Sequence, residues 1–324
     1  MLASVVVLRD VLVVDFTRYL PGPFASRELL QRGARVVRVE TPAGDPLRTV
    51  APGWDAVINA GKESVVWDLE RDPELGRALC RRADVVLEGF RPGVAGRLGI
   101  GPDDVPPSVV YCSVTGFGAD DLRPGHDLNY LGWAGLLAES APALPPVQIA
   151  DLAAGALYAV IDILAALLDR QQTGRGARLT ISMTHNAHHF AAHRLQGEPE
   201  RILTGGLACY GIYETSDGRF LTITPVESKF WVSLCEAVGR SDLIARHYDE
   251  DQEALRMELA AVFRSRSLGE WLDLFDGDDV MAGPVWTLAE AAARFGEPPL
   301  ADKPPALGEH TEQWRTELSA VEGR

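Results

Sequence analysis

The sequence predicts an α/β fold in which a large parallel-sheet domain is followed by a smaller α+β domain. Through the first half, short β-branched runs alternate with helix-length segments, which indicates buried strands joined by right-handed helical crossovers. Beyond Met183 the alternation ends, and two strand-like runs flank an Asp-Gly turn, which predicts a β-hairpin. At 324 residues the chain also exceeds a single typical core, so two domains are expected.

The elements of the large domain follow in order along the first half. The predicted strands are Val11–Asp15, Ala34–Glu40, Ser64–Trp67, Asp84–Glu88, Val109–Val114 and Ala177–Ile181. The predicted helices between them are Pro23–Arg32, Pro73–Arg82 and a long helix Asp151–Gln172, which the Thr-Gly-Arg-Gly segment after it should end.

The small domain is predicted from the strand and helix patterns that follow Met183. Its hairpin strands are Cys209–Tyr213 and Phe220–Thr224, and its helices are about 229–238, 253–263 and 268–275. We therefore expect a large domain over residues 1–185, a connector over 186–205 and a small domain over 206–299. The tail from about 300 to 324 lacks strong periodicity and is a candidate to return to the large domain.

Composition narrows the class of partner. The chain has 46 acidic and 31 basic residues, a net charge of −15, which disfavours binding to nucleic acid or to an anionic membrane. A small molecule is the expected partner. The early apolar runs 5–8 and 11–14 are interrupted by Arg9-Asp10, too short and too charged for a signal or membrane segment, so we expect a cytoplasmic protein.

The four cysteines indicate neither a metal nor a redox site. They are far apart and form no CxxC pair, so we expect reduced thiols: Cys80, Cys112, Cys209 and Cys235. Four histidines at helical spacing are also potential metal ligands, but no acid or Cys lies beside them. We expect no metal there and interpret the set as part of a helix at the domain connection: His185, His188, His189 and His193.

The segment Gly125-His126-Asp127-Leu128-Asn129-Tyr130 carries the chemistry that the sequence suggests. A further acid, Asp151, opens the predicted long helix. A neutral imidazole can take a proton that a carboxylic acid returns from the opposite side, which suits the removal and replacement of a carbon-bound hydrogen. Two structural interpretations stay open: the His-Asp neighbours as a surface pair, and Asp151 as a helix N-cap.

A dinucleotide site is the first alternative, because a strand, a Gly-containing turn, a helix and a second strand ending in Glu40 would suit one. The turn argues against it. Its sequence, Leu20-Pro21-Gly22-Pro23, has no GxGxxG motif, and its prolines remove N–H donors that a pyrophosphate would need. We therefore disfavour a nicotinamide-dependent enzyme.

A series of ordered blocks resembles the class III CoA-transferase superfamily over roughly residues 10 to 290. The blocks are Pro21-Gly22-Pro23, Gly33–Pro42, Asn59–Lys62, Trp67–Leu69, Ala83–Gly93, Leu98-Gly99 and Ser113–Gly118. Within that superfamily the segment around His126 is most similar to the alpha-methylacyl-CoA racemase branch. The resemblance implies a Rossmann-like large domain, a small domain and a homodimer whose chains interlock.

Two branches of the superfamily share the acid that matches Asp151. In the transferases it is the nucleophile that forms an anhydride and then an aspartyl thioester with CoA, and in the racemases it is one of two proton carriers. His126 and Glu227 match the racemases' second base and its paired acid, and Asp127 is a further orienting group. A Gly-rich transferase loop would be longer than Thr204–Ala208, which also favours the racemase.

The resemblance therefore implies an epimerase of a 2-methyl or other 2-substituted acyl-CoA, with no cofactor because CoA is part of the substrate. A CoA-transferase and a catalytically silent CoA-binding protein stay as alternatives. The start of the long helix would offer N–H donors to an enolate.

The phosphates of CoA require fixed cations. Arg38 and Arg91 lie at the carboxyl ends of predicted strands and match superfamily positions that contact CoA. Lys62 is a weaker third candidate.

Overall fold

The computed structural model describes residues 6–195, 202–296 and 303–322. Within these ranges the chain divides into two compact units. The first contains the described residues up to His193 together with 303–322, and the second contains residues 194–195 and 202–296. The predicted fold class is confirmed, since one unit holds a parallel sheet and the other a small antiparallel sheet.

The large sheet has six strands: β1 Leu12–Asp15, β2 Arg35–Glu40, β3 Glu63–Val66, β4 Val85–Glu88, β5 Val110–Thr115 and β6 Arg178–Ser182. They lie in the order β3-β2-β1-β4-β5-β6, and every neighbouring pair is parallel. The order reverses between β1 and β4. In open α/β sheets, ligands bind at such a point, in the crevice beyond the carboxyl ends of the strands.

Helices cover both faces of this sheet, because its strands are apolar on both sides. One core layer contains Val13, Leu29 and Ile163, and the other contains Val14, Leu79 and Trp314. The helices of this unit are α1 Pro21–Gln31, α2 Leu47–Val50, α3 Pro52–Asn59, α4 Pro73–Arg82, α5 Val94–Arg97, α6 Asp127–Trp133, α7 Tyr158–Thr173, α8 Met183–His189 and α13 Thr311–Glu322.

The predicted long helix begins differently from expectation. Residues Ala150–Leu157 form a π-helical segment, and only then does α7 begin, ending at Gly174 with a left-handed φ of 71°. By length and composition, residues 150–173 would suffice to cross a membrane. In this fold their inward residues, such as Ala154 and Ile163, belong to the core of the first unit.

The tail contains a helix that its weak periodicity did not predict. Helix α13 covers the β3 edge of the large sheet, with Trp314 fully buried. The N–H of Val66 donates to Thr311 Oγ1 at 3.0 Å, and Arg35 pairs with Glu317. Leu318, four residues after Trp314, is partly buried against the same core layer. A single apolar pair is too short to give the tail a strong periodicity.

The second unit contains the predicted hairpin, with β7 Gly211–Glu214 antiparallel to β8 Phe220–Ile223. A third strand, β9 Ala282–Pro284, was not predicted because three residues ending in Gly-Pro carry no strand pattern. Trp231, Phe263 and Trp271 fill the core. The helices are α9 Ser228–Ala237, α10 Gln252–Phe263, α11 Leu268–Phe275 and α12 Leu288–Phe295, of which α12 was not predicted. Part of the predicted connector, 196–201, lies outside the described residues.

Candidate active site

A cleft opens at the carboxyl ends of β1, β4 and β5, where the strand order reverses. Its volume is about 330 Å³. It is lined by the segments 16–19, 89–92, 114–116 and 121–126, by Pro21 and Gly22, and by Tyr130, Asp151 and Met183. The sheet therefore places two of the predicted catalytic residues, His126 and Asp151, on the wall of one cleft.

The turn after β1 shapes one wall of the cleft. Asp15 accepts a hydrogen bond from the N–H of Thr17 at 2.9 Å, which folds the chain sharply back. A Cβ added to Gly22 would lie 2.1 Å from Thr17 Oγ1, so only glycine lets the first turn of α1 approach this closely. The Pro-Gly-Pro sequence is thus the closure of a tight turn.

His126 immediately precedes α6, and its side chain is exposed to the cleft. Its backbone N–H donates to Asn129 Oδ1 at 3.0 Å. The Tyr130 hydroxyl donates to the Gly125 carbonyl at 2.5 Å and so fixes the loop before it. The imidazole meets the ring of Tyr19 edge to face, with 6.5 Å between the ring centroids.

Asp127 is buried behind the cleft, where its Oδ1 accepts a hydrogen bond from the backbone N–H of Asp151 at 2.9 Å. It also accepts from the N–H of Ala150, so this carboxylate caps the π-helical segment that carries Asp151. Burial raises the pKa of Asp127 above its usual value. Asp127 therefore contacts the backbone of Asp151, and its predicted role as an orienting group stays a prediction. The amides that we expected to stabilise an enolate are occupied by Asp127.

Asp151 is the second residue of the π-helical segment, and its side chain lines the cleft. Within the described ranges no hydrogen bond reaches its carboxylate, and it makes no capping bond, so the N-cap interpretation is wrong. Burial, followed by the nearby negative charge of Asp127, raises the pKa of Asp151 from 3.8 to about 7. A carboxyl that keeps its proton to neutral pH can act as an acid there.

Two guanidinium groups line the cleft from the ends of adjacent strands: Arg18 follows β1 and Arg91 follows β4. Both are exposed, and neither forms an ion pair with any residue in the part of the chain that the structure describes. Sequence reasoning identified Arg91 and missed Arg18, although the switch-point rule applied to β1 would have found it. A third, Arg123, is already paired with Asp121 and packs over Trp133.

Arg38 does not lie on the cleft wall, contrary to its predicted contact with CoA. Its side chain is 1% exposed, and its Nη2 contacts Asp55 Oδ1 at 2.7 Å and Asp45 Oδ2 at 3.2 Å. The segment after β2, including α2 and α3, closes over the strand end and supplies these acids. Arg38 also lies within β2, two residues before the strand ends at Glu40, and not at the strand end as predicted.

Lys62 is likewise internal, which disagrees with its predicted contact with CoA. Its Nζ is fully buried and donates to Pro23 O, Ser26 Oγ and Asn59 Oδ1, at 2.7 to 2.8 Å. Burial lowers the pKa of Lys62 to about 8 despite the nearby Asp15 carboxylate. The ammonium group therefore ties α1 and α3 together beneath the turn.

Glu227 belongs to the second unit, where it is exposed and immediately precedes α9. Its predicted pairing with His126 stays a prediction.

Two members of the histidine set make local contacts: His185 Nδ1 lies 2.7 Å from Ser182 Oγ, and His188 Nδ1 lies 2.9 Å from the Ala134 carbonyl. Across ranges 6–195, 202–296 and 303–322, no three His, Cys, Asp or Glu side chains gather as a metal site would require.

These features define an α/β fold whose ligand crevice is lined by a histidine, a carboxyl group of raised pKa and two guanidinium groups. The model of CoA-transferase family III matches residues 8–311, and the chain belongs to that family. It is therefore an enzyme of the class III CoA-transferase and racemase family, as the ordered sequence blocks predicted.

The relatives include both branches. The chain is 32% identical to the alpha-methylacyl-CoA racemase of Mus musculus, covering 88% of this chain and 79% of the relative. It is also 32% identical to a probable fatty acyl-CoA transferase, Rv3272, of Mycobacterium tuberculosis, covering 83% and 80%. A crystal structure of Rv3272 superimposes with a TM-score of 0.82 at 28% identity, covering 95% of this chain and 98% of that one.

Proposed function

We propose that this enzyme epimerises a 2-methyl or other 2-substituted acyl-CoA by 1,1-proton transfer. The observation that carries the proposal is that His126 and Asp151 line one cleft, with the pKa of Asp151 raised to about 7. A carboxyl group that keeps its proton to neutral pH can then deliver a proton to carbon, while the imidazole accepts one.

The reaction needs one C–H bond to break and one to form. In one direction His126 takes the α-proton, the electron pair delocalises onto the thioester oxygen as an enolate, and Asp151 delivers a proton to the opposite face. In the other direction the roles exchange. The guanidinium groups of Arg18 and Arg91 make the cleft positive, which favours both the anionic enolate and the phosphates of CoA. CoA is part of the substrate, so the proposed reaction requires no cofactor.

Incubation with a single epimer of 2-methylacyl-CoA in deuterated water tests the reaction. We expect the other epimer to form, with one deuterium at the α-carbon of the product. A straight-chain acyl-CoA plus free carboxylates serves as the parallel assay for transfer. Robust CoA transfer without α-deuteration of the branched substrate would contradict the epimerase.

A CoA-transferase is the second candidate, favoured by the 30% identity to the acetyl-CoA:oxalate CoA-transferase of Acetobacter aceti and by the relative from M. tuberculosis. In that reaction an Asp151 oxygen would attack the thioester carbonyl, and CoA thiolate would leave to give an anhydride. The carboxylate has no described hydrogen bond to prevent the attack. Hydroxylamine would then convert Asp151 to a hydroxamate that mass spectrometry detects. Binding of CoA without either activity would identify a silent binding protein.

Arg18 and Arg91 are the proposed cations of the CoA site. Replacing either by Ala is expected to weaken CoA binding by about 1–3 kcal/mol, the range for hydrogen bonds to charged groups. Calorimetry with CoA and with its 3'-dephospho form measures the loss and shows which phosphate is involved. Arg97→Ala, an exposed arginine outside the cleft lining, is the matched control. Wild-type affinity in the double variant Arg18→Ala/Arg91→Ala would contradict the assignment.

A homodimer is proposed as the working assembly, with the two chains interlocked. Helix α7 and the segment before it leave Leu157, Ile161 and Leu168 exposed on their outer side, and a second chain would cover such a face. Sedimentation is expected to give about twice 35.1 kDa at all practical concentrations. Refolding His126→Ala with Glu227→Ala chains together should restore part of the activity if sites are shared between chains. A stable, active monomer would contradict the interlocking.

A further inference from the structure

Tyr19 has an unusual backbone for its residue type. Its φ is 65°, and within the described ranges it alone among the non-glycine residues has a positive φ. Bulky side chains avoid this region because the Cβ approaches the following carbonyl oxygen. Strained residues persist where the surroundings determine them, and they cluster at functional sites.

Buried acids hold the strained turn on both sides. The backbone N–H of Tyr19 donates to Asp45 Oδ2 at 3.2 Å, and that carboxylate also contacts the buried Arg38. Before the turn, Asp15 accepts from the N–H of Thr17 and pairs with Lys62 at 3.7 Å. The two internal cations that the sequence suggested for CoA thus anchor the acids that shape the cleft wall.

The strained backbone directs the Tyr19 side chain to the cleft, where it is 48% exposed. Its ring meets the imidazole of His126 edge to face, at 6.5 Å between centroids. An aromatic ring at this separation limits the orientations that the imidazole can adopt. The described residues provide no hydrogen-bond partner for the Tyr19 hydroxyl, so the contact is made by the ring.

We infer that Tyr19 is a positioning residue, which holds the imidazole of His126 in the orientation for proton transfer. This inference rests on the proposed function of His126 and deepens it. Tyr19 itself exchanges no proton with the substrate. The strain of its backbone is retained because an unstrained residue at this position would not present its ring to His126.

Three substitutions separate the ring from the backbone. Tyr19→Phe keeps the ring and should retain kcat within about 2-fold. Tyr19→Ala removes the ring, and Tyr19→Gly removes it while also relieving the positive φ. Both are expected to lower kcat about 10- to 100-fold, the scale of a misplaced catalytic group, with KM changed by no more than about 2-fold. Trp54→Ala, an exposed aromatic outside the cleft lining, is the control.

A purely structural role makes the opposite prediction for Tyr19→Gly, since relief of strain would leave an enzyme with wild-type kcat. That result would overturn the inference. In the His126→Ala background, Tyr19→Ala should cause no further loss of activity, because the two residues act through one group. An undiminished second loss there would also overturn it.

The NMR signals of the His126 ring carbon-bound protons provide a readout that does not depend on activity. Tyr19→Ala should shift them by removing the ring current, whereas Tyr19→Phe should not. Unshifted signals would show that the rings do not meet and would overturn the inference, whatever the reaction. Shifted signals in a protein without epimerase activity would retain the contact and refute the proposed function alone.

Discussion

Replacing Asp151 by Asn is expected to lower the rate of epimerisation by about 10²- to 10⁴-fold, the usual contribution of a positioned acid or base. An amide cannot deliver a proton to the enolate, although it matches the size of the carboxyl group. CoA affinity should stay close to that of the wild type, since Asp151 acts on the α-carbon. Steady-state rates from polarimetry and calorimetry with CoA measure the two effects separately.

The same substitution is expected to stabilise the folded protein at neutral pH. The folded-state pKa of Asp151 is raised to about 7, whereas an unfolded Asp has a pKa of about 3.9. The unfolded chain therefore loses its proton first, and the wild type loses stability as the pH rises from about 4 to about 7. Asp151→Asn should keep its stability over this pH range, because its amide does not titrate. Denaturant melts at pH 4 and pH 8 should show the variant's advantage only at pH 8. An equal advantage at both values would contradict the raised pKa.

Replacing Lys62 by Met is expected to destabilise the fold by about 3–5 kcal/mol, the cost of leaving a buried charge without its partner. Asp15 would lose its cationic partner, and Ser26 and Asn59 would each lose a hydrogen bond. Thermal unfolding measures the change, with Lys229→Met, an exposed lysine of the second unit, as the control.

The CoA affinity of Lys62→Met shows whether Lys62 is internal or contacts the ligand. Measured well below the melting temperature of the variant, CoA affinity should equal that of the wild type. A loss of affinity in a variant of normal stability would restore the original prediction that Lys62 contacts CoA.

Much of the large domain was predictable because its strands are buried on both faces and so consist of β-branched runs. The strand order was not predictable from the runs, since it depends on the crossovers. The π-helical start at Ala150 was not predictable either, because Ala and Gly have the same composition in a π turn as in an α turn.

The candidate site, too, was predictable only in part. His126 and Asp151 were found from local context, and the sheet brings them to one cleft. Arg38 was assigned to CoA because it matches a superfamily position that contacts CoA, with Lys62 as a weaker candidate. Whether such a cation is buried depends on what folds over it. For Arg38 that cover includes Asp45 and Asp55, which lie 7 and 17 positions further along the chain.

Residues with no distinctive type were missed. Arg18 and Tyr19 follow β1 without any motif of their own, and their importance comes from the turn that points them to the cleft. A free guanidinium and a positive φ are properties of the folded chain alone.

The proposed epimerisation requires two bases acting on the same carbon, and epimer-specific exchange measures this requirement most directly. Each pure epimer of 2-methylacyl-CoA is incubated in deuterated water with His126→Ala or Asp151→Asn, and deuterium at the α-carbon of the unreacted epimer is followed by mass spectrometry. We predict that each variant exchanges the α-hydrogen of one epimer only, and that the two variants retain opposite epimers. Exchange of the same epimer by both variants, or undiminished epimerisation by either, would contradict the two-base mechanism.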